Sequence, residues 1–89
     1  MTDIQQTATY NQVRTRIREH VLALVGLPDI ADDQPLITDH VMDSIAAVQM
    51  VAFVEGAFGL QVEDEDLELR HFDTIDGLVG LVTGKLGLR

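Results

Sequence analysis

The chain has 89 residues, no cysteine and a formal net charge of −9, with 15 acidic residues against 6 lysines and arginines. A chain of this length forms one small domain with a single core, so an enzyme with a buried catalytic cleft is disfavoured. The lack of cysteine excludes disulfides and thiolate metal sites, and the negative charge disfavours binding to nucleic acid. We expect one domain over residues 1–89, with its core at about 6–87 and a flexible N-terminus.

Neither a metal site nor a membrane segment is predicted. The three histidines, His20, His40 and His71, are too scattered in sequence to suggest a ligand cluster. The first residues lack the basic and apolar regions of a signal peptide, and no apolar run approaches the roughly 20 residues that span a bilayer. We expect a cytoplasmic monomer.

The segment before Gly26 has the pattern of an amphipathic helix. Apolar side chains recur every three or four residues from about Gln6 to Val25, and arginines occupy the outer face. The apolar stripe consists of Tyr10, Val13, Ile17, Val21 and Leu24. Gly26 and Pro28 predict the end of this helix.

A long acidic loop is predicted from Asp29 to Asp43. It holds five aspartates and a proline, with scattered apolar residues that can anchor it to a core. These candidate anchors are Ile30, Leu36, Ile37 and Val41. Loops of this length in a small domain are usually functional or disordered, and the anchors favour an ordered loop.

A second helix is predicted from Ser44 to Phe58 and ends at Gly59. Asp43 and Ser44 carry oxygens that can accept hydrogen bonds from the free N–H groups of its first turn. The bulky side chains predict the core face: Ala47, Met50, Val51, Val54 and Phe58. The opposite face contains Ile45, Gln49, Ala52 and Gly56, whose small residues allow another surface to approach closely.

Two further helices complete the pattern. The segment Glu63–Leu69 can form one or two helical turns, with Leu67 and Leu69 as its apolar anchors. The last helix is predicted to begin at residue 73 or 74, where Asp76 is a candidate for the acid of a capping box. Its apolar stripe consists of Ile75, Leu78, Val79, Val82 and Leu86.

Three segments of the chain stand in an order that identifies a family. They are Met42-Asp43-Ser44-Ile45, then Val48 through Val54 with Phe58-Gly59-Leu60-Gln61-Val62 behind it, then Glu63-Asp64-Glu65-Asp66. In order and spacing, over about residues 13–82, the chain resembles the acyl carrier proteins of the phosphopantetheine-binding family. The resemblance implies an all-α four-helix bundle with a long loop between helices one and two and a short third helix.

The resemblance also implies a carrier function. Ser44, preceded by Asp43, would receive 4′-phosphopantetheine from coenzyme A through a separate phosphopantetheinyl transferase. The thiol of this arm would hold an acyl or aminoacyl group as a thioester and present it to biosynthetic enzymes, so the chain would have no catalytic residue and would not be an enzyme. A serine at a helix N-terminus suits this role, since the positive end of the helix dipole favours a phosphate there.

The chain departs from the family pattern in two places. The glycine usually found shortly before the Asp-Ser pair is absent, with His40 and Val41 in its place, so the loop entering the helix has a different shape; we interpret His40 as a surface residue. The second helix has a single acid, Glu55, with Gln49 and Gly56 where the family often has glutamate. This favours a polyketide or nonribosomal peptide pathway over primary fatty acid synthesis.

The expected partners are enzymes that load or extend the cargo. Besides the transferase, they are an acyl or aminoacyl ligase, a ketosynthase, an acyltransferase or a condensation enzyme. We predict that they dock on the outer face of the second helix, which is defined by Ile45, Val48, Gln49 and Ala52, with Asp43 and Glu55 as its charged edges.

Three other functions were weighed against the residues. A serine hydrolase needs a glycine-flanked elbow after a strand, which the sequence around Ser44 lacks. The acidic stretches do not have the alternating ligands and central glycine of a calcium loop. A helical adaptor that binds a basic or apolar partner without covalent modification remains an alternative, since four amphipathic helices can simply fill a partner's groove.

Overall fold

Residues 9–88 are described by a computed structural model, and they contain four α-helices and one 3₁₀ turn. The elements are α1 (Tyr10–Val25), α2 (Ser44–Phe58), the 3₁₀ turn (Asp64–Asp66), α3 (Leu69–Phe72) and α4 (Ile75–Leu86). This arrangement confirms the predicted all-helical class, with its long loop and short third helix. The predicted flexible N-terminus and the first residues of the first predicted helix lie outside the described residues.

Helix α1 begins at Tyr10, later than the apolar pattern predicted. Thr9 is extended, and its hydroxyl accepts a hydrogen bond from the Gln12 N–H at 3.2 Å while the Gln12 side chain accepts one from the Thr9 N–H at 2.9 Å. This reciprocal pair is a capping box, and it fixes the first helical residue. The end of the helix is as predicted, because Gly26 adopts the left-handed conformation with a φ of 73°.

The core lies between α1 and α4, with α2, α3 and the loop contributing the remaining side chains. Helix α4 supplies the largest share, since five of its apolar residues are buried. The buried apolar residues are Val13, Ile17, Val21, Leu36, Met42, Met50, Val54, Phe72, Ile75, Leu78, Val79, Leu81 and Val82. Tyr10 belongs to the predicted stripe of α1 but is 42% exposed, because it lies at the open start of that helix.

Helix α2 has the predicted bounds and the predicted orientation. Asp43 accepts the Ala46 N–H at its start, and Gly59 ends it with a φ of 65°. Met50 and Val54 are buried, while the other members of the predicted core face are partly buried. The ring of Phe53 stacks on His20 of α1 at a centroid distance of 3.9 Å, which adds an aromatic contact between these helices.

The third helix lies further along the chain than the sequence predicted. Residues 64–66 form only a 3₁₀ turn, and α3 covers Leu69–Phe72. The predicted anchors Leu67 and Leu69 are 55% and 56% exposed, whereas Phe72 is buried. The helix therefore forms where Phe72 can reach the core, since a segment this short needs tertiary contacts to be helical.

The prediction that Asp76 closes a capping box in α4 is wrong. Thr74 is the residue that caps this helix, and its hydroxyl accepts the Gly77 N–H at 2.8 Å. Counted from this cap, the third helical residue is Gly77. It has no side chain that could accept a hydrogen bond from the Thr74 N–H, as a capping box requires. The N–H of Asp76 instead donates to the backbone oxygen of Asp32 at 2.9 Å, which ties α4 to the loop.

Candidate functional site

Ser44 is the first residue of α2, and its side chain is exposed. The preceding residue, Asp43, has extended backbone angles, and its Oδ1 accepts the Ala46 N–H at 2.8 Å. Because Asp43 is the cap, the Ser44 hydroxyl is not required to cap the helix. It is the only serine in the chain.

The start of α2 fits a phosphate ester on the Ser44 oxygen. The first N–H groups of a helix have no partner within the helix, and here the Asp43 carboxylate satisfies that of Ala46. The N–H groups of Ser44 and Ile45 remain at the open end, where the helix dipole favours negative charge. Apart from the cap Asp43, whose carboxylate is engaged with the Ala46 N–H, the start of α2 has no acidic residue in its first turn.

A tight turn over residues 36–42 leads into this site. The backbone oxygen of Leu36 accepts the N–H groups of Val41 at 2.7 Å and of Met42 at 2.9 Å, and the His40 N–H donates to Ile37 at 3.1 Å. Leu36 and Met42 are buried at the two ends of the turn. The turn therefore fixes the backbone immediately before the Asp43-Ser44 pair.

His40 takes a left-handed backbone conformation in this turn, with a φ of 59°. It is the one non-glycine residue among the described residues with a positive φ, and its side chain is exposed. The exposed position agrees with the interpretation of His40 as a surface residue. The left-handed turn also gives the loop before Ser44 a defined shape at the position where the sequence predicted a departure, His40 and Val41.

Asp73, in the link between α3 and α4, holds the first half of the same turn. Its Oδ1 accepts the N–H groups of Ile37 and Thr38, both at 2.8 Å, and its Oδ2 accepts the Thr38 hydroxyl at 2.6 Å. These hydrogen bonds, led by the one from the Thr38 hydroxyl, hold the pKa of the Asp73 carboxyl below its usual value. Sequence reasoning did not identify this contact.

Asp32 holds the beginning of the loop to α1. It accepts hydrogen bonds from Arg14 at 2.6 Å and from Arg18 at 2.7 Å, and Arg18 also pairs with Asp29. Desolvation raises the pKa of Asp32, but the bonds to Arg14 and Arg18 outweigh it, so this pKa lies below its usual value. Arginines predicted on the outer face of the first helix thus bind the acidic loop.

The predicted docking face of α2 is exposed along its length. Ile45 and Val48 are 69% and 68% exposed, and Gln49 and Ala52 are also exposed. Single exposed apolar residues are common, but two large ones lie here beside the candidate attachment residue. The face is therefore available to a partner.

The charged edges of this face have structural contacts of their own. Asp43 accepts the N–H of Ala46 at one end of α2, and Glu55 Oε2 accepts the N–H of Val62 at 2.9 Å after the other end. Glu55 is half-buried. Both carboxylates are thus engaged with the backbone of their own chain.

Residues 9–88 contain neither a candidate metal centre nor a candidate membrane span. In that range no cluster of three or more histidine or acidic side chains is arranged to hold a metal ion. Nor does any helix there have the length and apolar character needed to cross a membrane.

Comparison with known proteins assigns this geometry to a family. The family model described as the phosphopantetheine attachment site matches residues 15–82. An acyl carrier protein of Thermotoga maritima is 27% identical to the chain over 82 residues, which cover 90% of this chain and 99% of that protein. The chain therefore belongs to the phosphopantetheine attachment site family, so that it is a carrier of the acyl carrier protein type rather than an enzyme, and its prosthetic group is 4′-phosphopantetheine.

Proposed function

We propose that Ser44 carries the 4′-phosphopantetheine group and that the chain presents an acyl or aminoacyl cargo from this residue. The observation that carries the proposal is an exposed serine, the only one in the chain, at the first position of a helix already capped by Asp43. Its hydroxyl is free to react, and the adjacent N–H groups favour the phosphate that would follow.

The attachment step is a transfer of phosphopantetheine by a separate enzyme. The Ser44 hydroxyl loses its proton and forms a new O–P bond, while the pyrophosphate bond of coenzyme A breaks and adenosine bisphosphate leaves. When bound, the group supplies a thiol that holds the cargo as a thioester, which a chain without cysteine cannot supply itself. The tether raises the effective concentration of the cargo at successive enzymes.

Intact mass spectrometry tests this proposal. A phosphopantetheinyl transferase with coenzyme A is expected to add one phosphopantetheine to the wild type and to Thr15→Ala, which removes an exposed hydroxyl from α1. Ser44→Ala is expected to gain no mass while its circular dichroism stays unchanged. If no transferase modifies the wild type, a helical adaptor without covalent modification becomes the better-supported function. Modification of another residue would contradict the assignment of Ser44.

The proposal extends to the enzymes that load or process the cargo, which belong to a polyketide, nonribosomal peptide or related pathway. The support is the exposed face of α2, whose members Ile45, Val48, Gln49 and Ala52 carry no charge. Such a face suits partners that bind by shape and apolar contact better than partners with a strongly basic patch. Those partners are a ligase, a ketosynthase, an acyltransferase or a condensation enzyme. The same proposal includes a monomeric state and a cytoplasmic location.

The mass of the protein recovered from its own host tests the pathway. Mass beyond phosphopantetheine gives the cargo directly, and an aminoacyl or polyketide group is the expected result. A plain long-chain fatty acyl group would contradict the pathway while leaving the attachment at Ser44 intact.

A further inference from the structure

The structure assigns a positioning role in the modification of Ser44 to Asp73, a residue outside the attachment motif. Its carboxylate fixes the backbone at residues 37 and 38, which belong to the turn that leads to Ser44. The role rests on the attachment proposed for Ser44, and it adds a distant residue to that site.

The contacts of Asp73 converge on one short stretch of the loop. Its side chain accepts the N–H groups of Ile37 and Thr38 and the Thr38 hydroxyl, and its backbone oxygen accepts the Leu36 N–H at 2.6 Å. All four donors therefore belong to three consecutive residues. The carboxylate itself accepts from three of these donors, and it holds them more firmly than a single neutral hydrogen bond would.

The held stretch is joined to the attachment residue by a closed turn. The oxygen of Leu36 accepts the N–H groups of Val41 and Met42, and Leu36 directly precedes the two residues whose N–H groups the Asp73 carboxylate binds. Met42 is 3% exposed and is followed directly by the cap Asp43. A displacement at residues 37 and 38, which lie inside this turn, is thereby passed to the backbone entering Ser44.

Loss of the Asp73 carboxylate would leave the core and the bond from the Leu36 N–H to the Asp73 backbone oxygen in place, but it would release residues 37 and 38 inside this turn. Leu36 and Met42 are buried and would stay so, whereas the N–H groups of Ile37 and Thr38 would turn to water. A transferase that requires the closed turn then finds only a fraction of the molecules competent. Its KM for the carrier rises by the inverse of that fraction while kcat is unchanged.

Steady-state kinetics of a phosphopantetheinyl transferase on full-length variants test this role, at a temperature where circular dichroism shows each variant folded. For Asp73→Ala, KM is expected to rise about fivefold or more, with kcat within about twofold of the wild type, if four-fifths of the molecules have an open turn. Asp73→Asn keeps an oxygen that can accept both backbone N–H groups, so it is expected to recover most of this loss. Thr38→Val removes a single contact at an exposed residue and is expected to give a smaller rise.

Asp32→Ala is the matched control. Asp32 also holds this loop, but it binds Arg14 and Arg18 at the far end from Ser44. It is expected to lower the thermal midpoint while KM and kcat remain close to the wild type. Amide exchange at Val41 and Met42, followed by NMR, is expected to accelerate in Asp73→Ala and to stay unchanged in Asp32→Ala.

The outcomes separate the two proposals. If Ser44 of the wild type is modified but KM is unchanged in Asp73→Ala and Thr38→Val, or rises equally in Asp32→Ala, the positioning role is overturned and the attachment stands. If Asp73→Ala does not fold, Thr38→Val decides, since it keeps both bonds from the backbone N–H groups to Asp73 and loses only the one from the hydroxyl. A wild type that is never modified overturns the attachment, and with it this role.

Discussion

A Cβ atom added to Gly77 would lie 2.3 Å from the backbone oxygen of Arg70, which means that α4 approaches α3 closely at this glycine. No larger residue fits there without moving one helix, and such overpacking typically costs about 1 to 3 kcal/mol. Gly77→Ala is therefore expected to lower the free energy of unfolding by about that amount in urea denaturation.

The other glycines of α4 provide the control for this prediction. A Cβ added to Gly80 or Gly84 would have no atom within 4 Å. Alanine is preferred to glycine inside a helix by about 1 kcal/mol, so Gly80→Ala and Gly84→Ala are each expected to stabilise the protein. Equal effects at all three positions would show that α3 and α4 do not meet as closely as described.

A second prediction concerns His40 and its φ of 59°. A side chain in this region is strained by about 1 kcal/mol or more, and glycine relieves that strain at the expense of greater freedom in the unfolded chain. His40→Gly is expected to have a higher thermal midpoint than His40→Ala, which keeps the Cβ. A lower midpoint for the glycine variant would contradict the left-handed conformation.

Acid stability provides a third prediction, based on Asp73. Hydrogen bonds from Thr38 lower the pKa of Asp73 in the folded state, whereas in the unfolded state it is close to the ordinary value of about 3.9. Between these two values the unfolded chain binds more protons, so stability rises with pH there. The contribution is complete above about pH 5 and is lost as the pH falls through the folded-state pKa.

Comparison with Asp73→Asn isolates this contribution, because Asp32 and Asp66 also have lowered pKa values and titrate in the same range. At neutral pH the variant is expected to be less stable than the wild type by about 1 kcal/mol, which is the typical difference between hydrogen bonds to a charged and to a neutral acceptor. Urea midpoints measured from pH 6 to pH 3 are expected to converge. A difference that stays constant with pH would show that the Asp73 charge does not contribute.

A fourth prediction tests the proposed docking face. Ile45 is 69% exposed, so Ile45→Ala is expected to change the stability by less than about 0.5 kcal/mol. It is expected to slow loading or transfer by the cognate enzyme more than Glu55→Gln does, because Glu55 is already engaged with the Val62 N–H and glutamine keeps an acceptor there. Loading or transfer rates measured against carrier concentration for the two variants test this comparison. A larger effect of Glu55→Gln would show that the partner recognises the charged edge of the face.

The second helix was predictable from the sequence because its boundaries are local. Asp43 caps it through an N–H only three residues away, and Gly59 supplies the left-handed residue after its last turn. The division of bulky and small side chains between two faces also predicted which face of the helix is turned toward the core, since Met50 is buried and Ile45 is exposed. Each of these signals can be read within one or two turns of helix.

The contacts that shape the site were not predictable in the same way. Asp73 meets Thr38 across 35 positions, and nothing in either segment indicates the other. The third helix was misplaced for a related reason: Leu67 and Leu69 match a helical stripe, but burial selects Phe72 instead. Local pattern cannot rank such anchors, since tertiary packing decides which of them reaches the core.

On helix α2, folding and recognition use separate side chains. Met50 and Val54 attach the helix to the core, whereas Ile45 and Val48 contribute little buried surface to the fold. In the proposed function, a carrier built this way could be redirected to another enzyme system by exchanging a few surface side chains, without redesign of its interior. The same separation leaves such exchanges nearly neutral for stability, so new partners can be acquired in single steps.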